Sequence, residues 1–220
     1  MTSSETPGQP PEPALRADAE RNRERIMEAA RRLYASEGLG VSMASVAREA
    51  GVGKATLSRR FATRDDLVNA VFTDRMETYA TATTEALADP DPWHGFIRYV
   101  ETICAMQAAD RGFAAVLTMS FPGATALEAR RAESYEGFLE LISRAKATGH
   151  LRDDFASEDL VLLLMANAGV ITATSDAAPN GWRRLVGQML RAFATPGAPI
   201  PPLPDAPDSA DLYRAMTRTP

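Results

Sequence analysis

The stretch Ala50-Gly51-Val52-Gly53-Lys54-Ala55-Thr56-Leu57-Ser58-Arg59-Arg60-Phe61-Ala62-Thr63-Arg64-Asp65-Asp66-Leu67 decides how this chain folds. Gly51-Val52-Gly53 is a three-residue joint of the kind that lets two helices meet at a steep angle. Gly51 suits the position just past a helix end, where a left-handed backbone is wanted. Lys54 to Phe61 then reads as a short helix that turns Leu57 and Phe61 inward. Thr63, with Asp66 three residues on, forms a capping box for a further helix whose buried stripe is Leu67, Val71, Phe72 and Met76.

Upstream, Ser42 can cap a helix with the apolar face Met43, Val46, Ala47 and Ala50, small where two helices would cross. Ile26, Ala30, Leu33 and Tyr34 form the stripe of a first helix that Gly38 and Gly40 end. These elements amount to a helix-turn-helix. Its second helix exposes Lys54, Thr56, Ser58, Arg59 and Arg60, which suit phosphates and base edges in a DNA major groove. Backbone N–H groups at Ser42 and Met43 suit a phosphate.

Charge supports that reading. Between Ala19 and Arg64 there are ten Lys/Arg and five acids, a local excess of +5, whereas the whole chain carries −5. The remainder is therefore at −10, and only the front is fitted to meet a polyanion.

The quoted run resembles the signature of the TetR family of one-component repressors, and with Leu39-Gly40-Val41-Ser42-Met43 the resemblance covers about Glu20 to Phe72. It implies DNA contacts from Ser42, Met43, Gly53, Lys54, Ala55, Thr56, Ser58, Arg59, Arg60 and Arg64. Three positions depart from the family pattern. Ser58 stands where Tyr is usual, removing one backbone contact, Gly53 replaces a Ser cap, and Arg64 replaces a Lys in a phosphate role.

Helix signals continue behind the reader, and strand signals are nearly absent, so the fold class is all-α with about nine helices. Asp89-Pro90-Asp91-Pro92 breaks the chain, with Pro92 in the first turn of helix five. Helices are expected at 113–120, 124–148, 158–174 and, after Asn180-Gly181, along the stripe Leu185, Val186, Met189, Leu190 and Phe193. Ser157 is expected to cap the eighth helix. Residues 1–17 read as a disordered tail, 18–66 as the DNA-binding domain, 67–195 as the body and 196–220 as a Pro-rich extended tail with one turn near Leu212 to Met216.

The resemblance implies that the body binds a small effector and forms a homodimer. Candidate effector contacts are Trp93, Phe96, Tyr99, Ile103, Met106, Phe113, Leu117, Met119, Phe138 and Asn167, a list that equally describes a helical core. Arg130 and Arg131 are adjacent, so at most one of them faces inward. Leu162, Met165, Leu185, Val186, Met189, Leu190 and Phe193 are expected in a dimer seam, with Gly187 permitting close approach.

No nucleophile–base pair, phosphate-cradling loop or metal set is legible, so neither an enzyme nor a cofactor is expected; Gly51-Val52-Gly53-Lys54 lacks the rest of a P-loop. Cys104 is the only cysteine and lies on an apolar stripe. His94 and His150, the two histidines, lack ligand partners at metal spacing. The first residues lack a signal-peptide pattern and no membrane span is read, which gives a cytoplasmic expectation. The competing reading is an all-helical protein-interaction module that docks its basic helix on an acidic partner.

Overall fold

Local capping sets most of the helix boundaries. The computed structural model describes residues 12–174 and 176–217. Helix α1 (Glu12–Glu37) buries Ile26, Ala29, Ala30 and Tyr34. It starts inside the segment read as a disordered tail. Pro13 lies in its first turn, where the missing N–H of proline breaks no helical bond. Residues 1–11 of that expected tail lie outside the described residues.

Helix α2 (Met43–Glu49) is capped by Ser42, whose Oγ accepts the Ser45 N–H at 3.0 Å. At its other end the N–H of Gly51 (φ +64°) bonds Arg48 O, and that of Val52 bonds Ala47 O, closing the helix in a Schellman motif. Helix α3 (Lys54–Arg60) follows. Helix α4 (Arg64–Leu87) opens on the expected capping box. Thr63 Oγ1 accepts the Asp66 N–H at 3.1 Å, and the Asp66 carboxylate accepts the Thr63 N–H at 2.9 Å. This helix runs across the expected domain boundary at residue 66, so one rigid element carries the reader into the body.

The body comprises α5 (Pro92–Ala109), α6 (Arg111–Thr118), α7 (Thr125–Ala147), α8 (Ser157–Thr174) and α9 (Gly181–Phe193). Asp91 caps α5 through the N–H groups of Trp93 and His94, with Pro92 in the first turn as expected. Among the described residues there is no named strand, only an isolated bridge between Leu151 and Ala194. Helices α4 and α7 lie side by side and parallel. Asn69 bonds the backbone of Leu127, Glu77 pairs with Arg130, and Leu87 O accepts from Arg144. Helix α6 rests on α1, and Arg111 donates to Ser36 O at 3.2 Å.

Ser157 does not cap α8. It lies within the first turn and bonds Tyr135 and Glu158, while Asp159 reaches back to accept the Ala156 N–H at 2.8 Å. Helix α8 is long and apolar enough in composition to cross a membrane, with a mean hydropathy of 1.2. Here it buries Leu160, Leu163, Leu164, Asn167 and Ile171 in the bundle.

Beyond α9 the described chain continues to residue 217. Residues 195–208 form an extended strap across the body, and α10 (Ser209–Met216), longer than the single turn expected, packs against α8. The Trp93 indole N–H donates to Pro199 O at 2.6 Å, and Arg184 donates to Pro204 O at 2.7 Å. Gly187 is where the strap crosses α9: a Cβ there would come within 2.9 Å of both Leu203 and Pro204.

That crossing gives Gly187 a neighbour within its own chain. Gly187 admits the chain's own strap. Val186, Leu190 and Phe193 are buried in their own chain at 2%, 2% and 8% exposure, and Leu185 and Met189 pack half-buried on the same core. A stripe of period 3.6 specifies burial but not whose core receives it. Of the expected seam, Leu162 (63% exposed) and Met165 (51%) remain on the surface. Eight of the nine large exposed apolar residues among those described fall on three neighbouring helices: Tyr135 and Leu139 on α7, Val161, Leu162 and Met165 on α8, and Leu212, Tyr213 and Met216 on α10.

Candidate nucleic-acid interface

The ten cations of the front segment divide into two sets. One set holds the reader together. Arg25 donates to Ala50 O at 2.7 Å and Gly51 O at 3.3 Å, so its charge lies at the C-terminal end of α2, where the last carbonyls favour a cation. Arg31 pairs with Glu28, Arg32 with Glu28 and Glu49, and Arg21 with Asp18. The Arg23 guanidinium lies 5.7 Å from the centre of the Phe61 ring. Composition alone could not separate these from DNA-facing charges, because the partners of Arg32, Arg25 and Arg23 include residues 17 to 38 positions away.

The other set faces outward. Lys54, Arg60 and Arg64 are exposed and make no ion pair among the described residues; the same is true of Arg48 on α2. Arg59 is exposed and held by a 3.3 Å hydrogen bond to Thr56 Oγ1 on its own helix. Ser42, Gly53, Ala55 and Ser58 are exposed, whereas Thr56 and Met43 are half-buried, Met43 against the core. Gly53 begins α3 without any side-chain cap, so its carbonyl alone accepts from Thr56 and Leu57. Leu57 (2%) and Phe61 (3%) anchor α3 from below. Burial raises the Tyr34 hydroxyl above its ordinary pKa, partly offset by the charge of Arg64.

The expected effector residues do not form one site. Trp93 stacks on Phe96 (5.7 Å between ring centres), and Phe138 stacks on both Phe96 (6.5 Å) and Tyr99 (5.3 Å), all within the core between α5 and α7. Phe113 lies elsewhere, beside Phe72, which in turn stacks on Tyr34 where α6 meets the reader. Ile103 is buried, Met106 and Leu117 are half-buried, and Met119, at 49% exposure, is on the surface.

Asn167 is fully buried and donates to Cys104 O at 3.3 Å and Gln107 Oε1 at 2.9 Å. Gln107, also fully buried, donates to Leu164 O. It was missed in the sequence because it sits on a mixed stretch of α5, sixty residues from its partner. Tyr79 and Tyr99 share a buried hydroxyl–hydroxyl bond of 3.0 Å, with Ser134 buried on the adjoining face of α7 and its Oγ unpartnered. Of the adjacent arginines, Arg131 turns inward to the carbonyls of Val116 and Met119, while Arg130 pairs at the surface with Glu77 and Glu133.

A steep two-helix reader with an outward cationic helix, continued by one long helix into an all-helical body, defines a helix-turn-helix regulator. Residues 26–71 match the family model for bacterial regulatory proteins of the tetR family, and residues 91–191 match that for the C-terminal domain of SbtR-like transcriptional regulators. A TetR transcription regulatory protein from Mycobacterium vanbaalenii is 30% identical over 82% of this chain and 99% of its own, with a TM-score of 0.46. The chain belongs to the TetR family of transcriptional regulators, which are DNA-binding proteins rather than enzymes.

An HTH-type transcriptional regulator of Staphylococcus aureus is 38% identical over 68 residues, which are 30% of this chain and 37% of the relative. The chain thus matches about 37% of the length of that curated relative. A putative tetR family regulator from a Shewanella species shares the fold, with a TM-score of 0.53 at 21% identity over 79% of this chain and 98% of its own.

Proposed function

We propose that this chain is a cytoplasmic repressor that binds a palindromic operator as a homodimer and releases it when a small, largely apolar or aromatic effector enters the body. The reader comprises residues 18–66, and the body begins at 67. Lys54, Thr56, Ser58, Arg59 and Arg60 take the major groove. Ser42, Met43, Gly53, Ala55 and Arg64 take the flanking backbone.

The observation that carries this reading is the outward face of α3, where Lys54, Arg59 and Arg60 are exposed with no carboxylate paired to them among the described residues. Cations left without internal partners can exchange their counterion atmosphere for phosphates, which makes binding salt-dependent. The buried hydroxyl pair of Tyr79 and Tyr99, beside the Phe138 ring, supports an effector that is mostly apolar with one or two hydrogen-bonding groups. Effector and operator then oppose each other by reciprocal linkage through α4.

The test is selection of bound duplex DNA from a random library, followed by affinity measurements at several salt concentrations. Recovery of a palindromic site, bound at least about a thousandfold more tightly than random DNA, is expected. Weak binding without sequence preference would overturn the operator reading. A thermal-shift screen with release of the selected DNA tests the effector. Apolar hits that leave DNA affinity unchanged would remove the coupling.

A further inference from the structure

Inside the body, hydrogen-bond donors gather without an acceptor. On α7, Ser134 is 2% exposed and its Oγ has no partner among the described residues. One turn earlier on the same helix, the Nε–H of Arg131 is buried and likewise unpartnered. The other guanidinium nitrogens are engaged. Nη1 donates to Met119 O at 2.7 Å, and Nη2 donates to Val116 O. Glu128 lies 3.6 Å from Nη1, and its carboxylate also accepts the Phe121 N–H at 2.8 Å.

Tyr79 of α4 stands at the same level. Helices α4 and α7 touch at Thr83 and Gly137, where a Cβ on the glycine would fall 2.6 Å from Thr83 Cγ2. Tyr79 lies four residues before Thr83, and Ser134 three before Gly137, so on parallel helices both sit one turn below that contact. Burial raises the Tyr79 pKa, and the Tyr99 bond and the charge of Arg131 oppose the rise, which puts the guanidinium within electrostatic reach of the hydroxyl. Tyr79 accepts the Tyr99 O–H at 3.0 Å, and its own proton has no acceptor among the described residues. The Phe138 ring, one turn beyond Ser134, stacks on Tyr99 beside the hydroxyl pair.

Folded cores leave few polar groups unsatisfied, and two orphans on one helix face, with a third donor opposite, call for a shared acceptor. A carboxylate is acceptor-only, offers two oxygens, and forms its strongest hydrogen bonds with a charged donor. Its single negative charge matches the one guanidinium that turns inward. A phosphate carries roughly two charges and would leave one unbalanced. An amine would set a second cation beside Arg131. The neighbouring Phe138 and Tyr99 rings suit a flat apolar body.

We infer that the body binds an aromatic monocarboxylate: its carboxylate accepts from Arg131 Nε, Ser134 Oγ and Tyr79 Oη, and its ring lies against Phe138 and Tyr99. The inference rests on the effector reading above and adds to it the sign of the ligand's charge and the side chains that hold it. Neither Arg131 nor Ser134 belongs to the apolar stripes that mark the body as helical, and each acquires its meaning only from the partner it lacks.

Calorimetric titration of the full chain with benzoate, phenylacetate and 3-phenylpropionate, and with the amide of each, tests it. At least one acid is expected to bind, at least about tenfold more tightly than its amide. Ser134→Ala and Tyr79→Phe are each expected to weaken that acid at least about tenfold. Ser134 Oγ bonds nothing in the ligand-free chain, so Ser134→Ala keeps the fold and decides the matter even if Tyr79→Phe disturbs Tyr99. Failure of all three acids to bind overturns the site. So does an acid that binds no better than its amide, or that binds Ser134→Ala as tightly as the native chain. A neutral compound that releases DNA in those cases leaves the effector reading standing. An acid that binds as expected but leaves DNA affinity unchanged upholds the carboxylate site and removes the effector reading.

Discussion

The Asn69 side-chain oxygen accepts the backbone N–H of Leu127 at 3.1 Å. One turn earlier, Asp65 accepts the N–H of Gly123 at 2.9 Å. Two side chains of the first turns of α4 thereby satisfy the N–H of Leu127, which has no intrahelical partner in the first turn of α7, and that of Gly123 in the turn just before it. The helix that carries the reader is thus fastened to the body at its near end. Asn69→Ala is expected to cost about 1 kcal/mol in stability through a lost hydrogen bond and an orphaned donor. Urea unfolding of the DNA-free protein reads this directly, and an unchanged midpoint would show that the fastening is idle.

Two arginines of the reader are expected to fail in different ways. Arg60→Ala removes an unpaired outward cation, so it should weaken DNA binding and reduce the slope of log affinity against log salt by roughly one. Arg25→Ala removes the donor to Ala50 O and Gly51 O. It should leave the salt slope unchanged and lower stability by about 1–2 kcal/mol, because a hydrogen bond from a charged group is lost. Salt titrations paired with denaturant curves separate the two.

Leu190→Glu would be the obvious dissociating variant if α9 formed the seam. At 2% exposure within its own chain, Leu190 instead receives the charge in the monomer core. Loss of the folded state is expected, a penalty of several kcal/mol. A folded monomer, seen by circular dichroism and sedimentation together, would restore α9 to the seam.

Burial pushes the Cys104 thiol up to about 12, with the charge of Glu101 adding to the rise. Since the thiolate is the reactive form, a thiol reagent at pH 8 should not label the native protein and should label it quantitatively once unfolded. Rapid labelling of the native state would place Cys104 at an accessible surface.

The backbone N–H of Asp91 holds the Asp89 carboxyl below its ordinary value of 3.8, aided by His94 and Arg98. A depressed carboxylate contributes stability above its unfolded value and loses it as pH falls through the lower folded value. Asp89→Asn should therefore be less stable than the native chain at neutral pH, and the gap should close in acid, below pH 3.8. Chemical unfolding of both proteins across that range checks the sign.

The reader was legible in the sequence because its determinants are local. Ser42, the Thr63–Asp66 box and the Gly51 turn each act within three or four residues, and such chemistry survives translation from sequence to structure unchanged. The body was legible only as helices. The stripe of α9 reads alike whether it faces α5 and α8 of its own chain or a second copy. Pro196 to Pro207 shows an extended backbone but not the Gly187 groove it occupies. Asn167 stands out as a polar residue in an apolar helix, yet nothing near it in sequence points to Gln107. Arg25 counts as one more positive charge until its carbonyl partners across the turn are seen.

The hydrogen bond between the Trp93 indole and Pro199 O has an optical consequence. Only two tryptophans occur in the chain, and both lie close to the strap: Trp93 bonds it, and Trp182 opens the α9 that it crosses. Their emission therefore reports on the strap's attachment without any introduced label. Lifting the strap would hydrate a buried indole and shift its fluorescence to the red, so its detachment can be timed against dimer exchange or DNA release in a single stopped-flow trace.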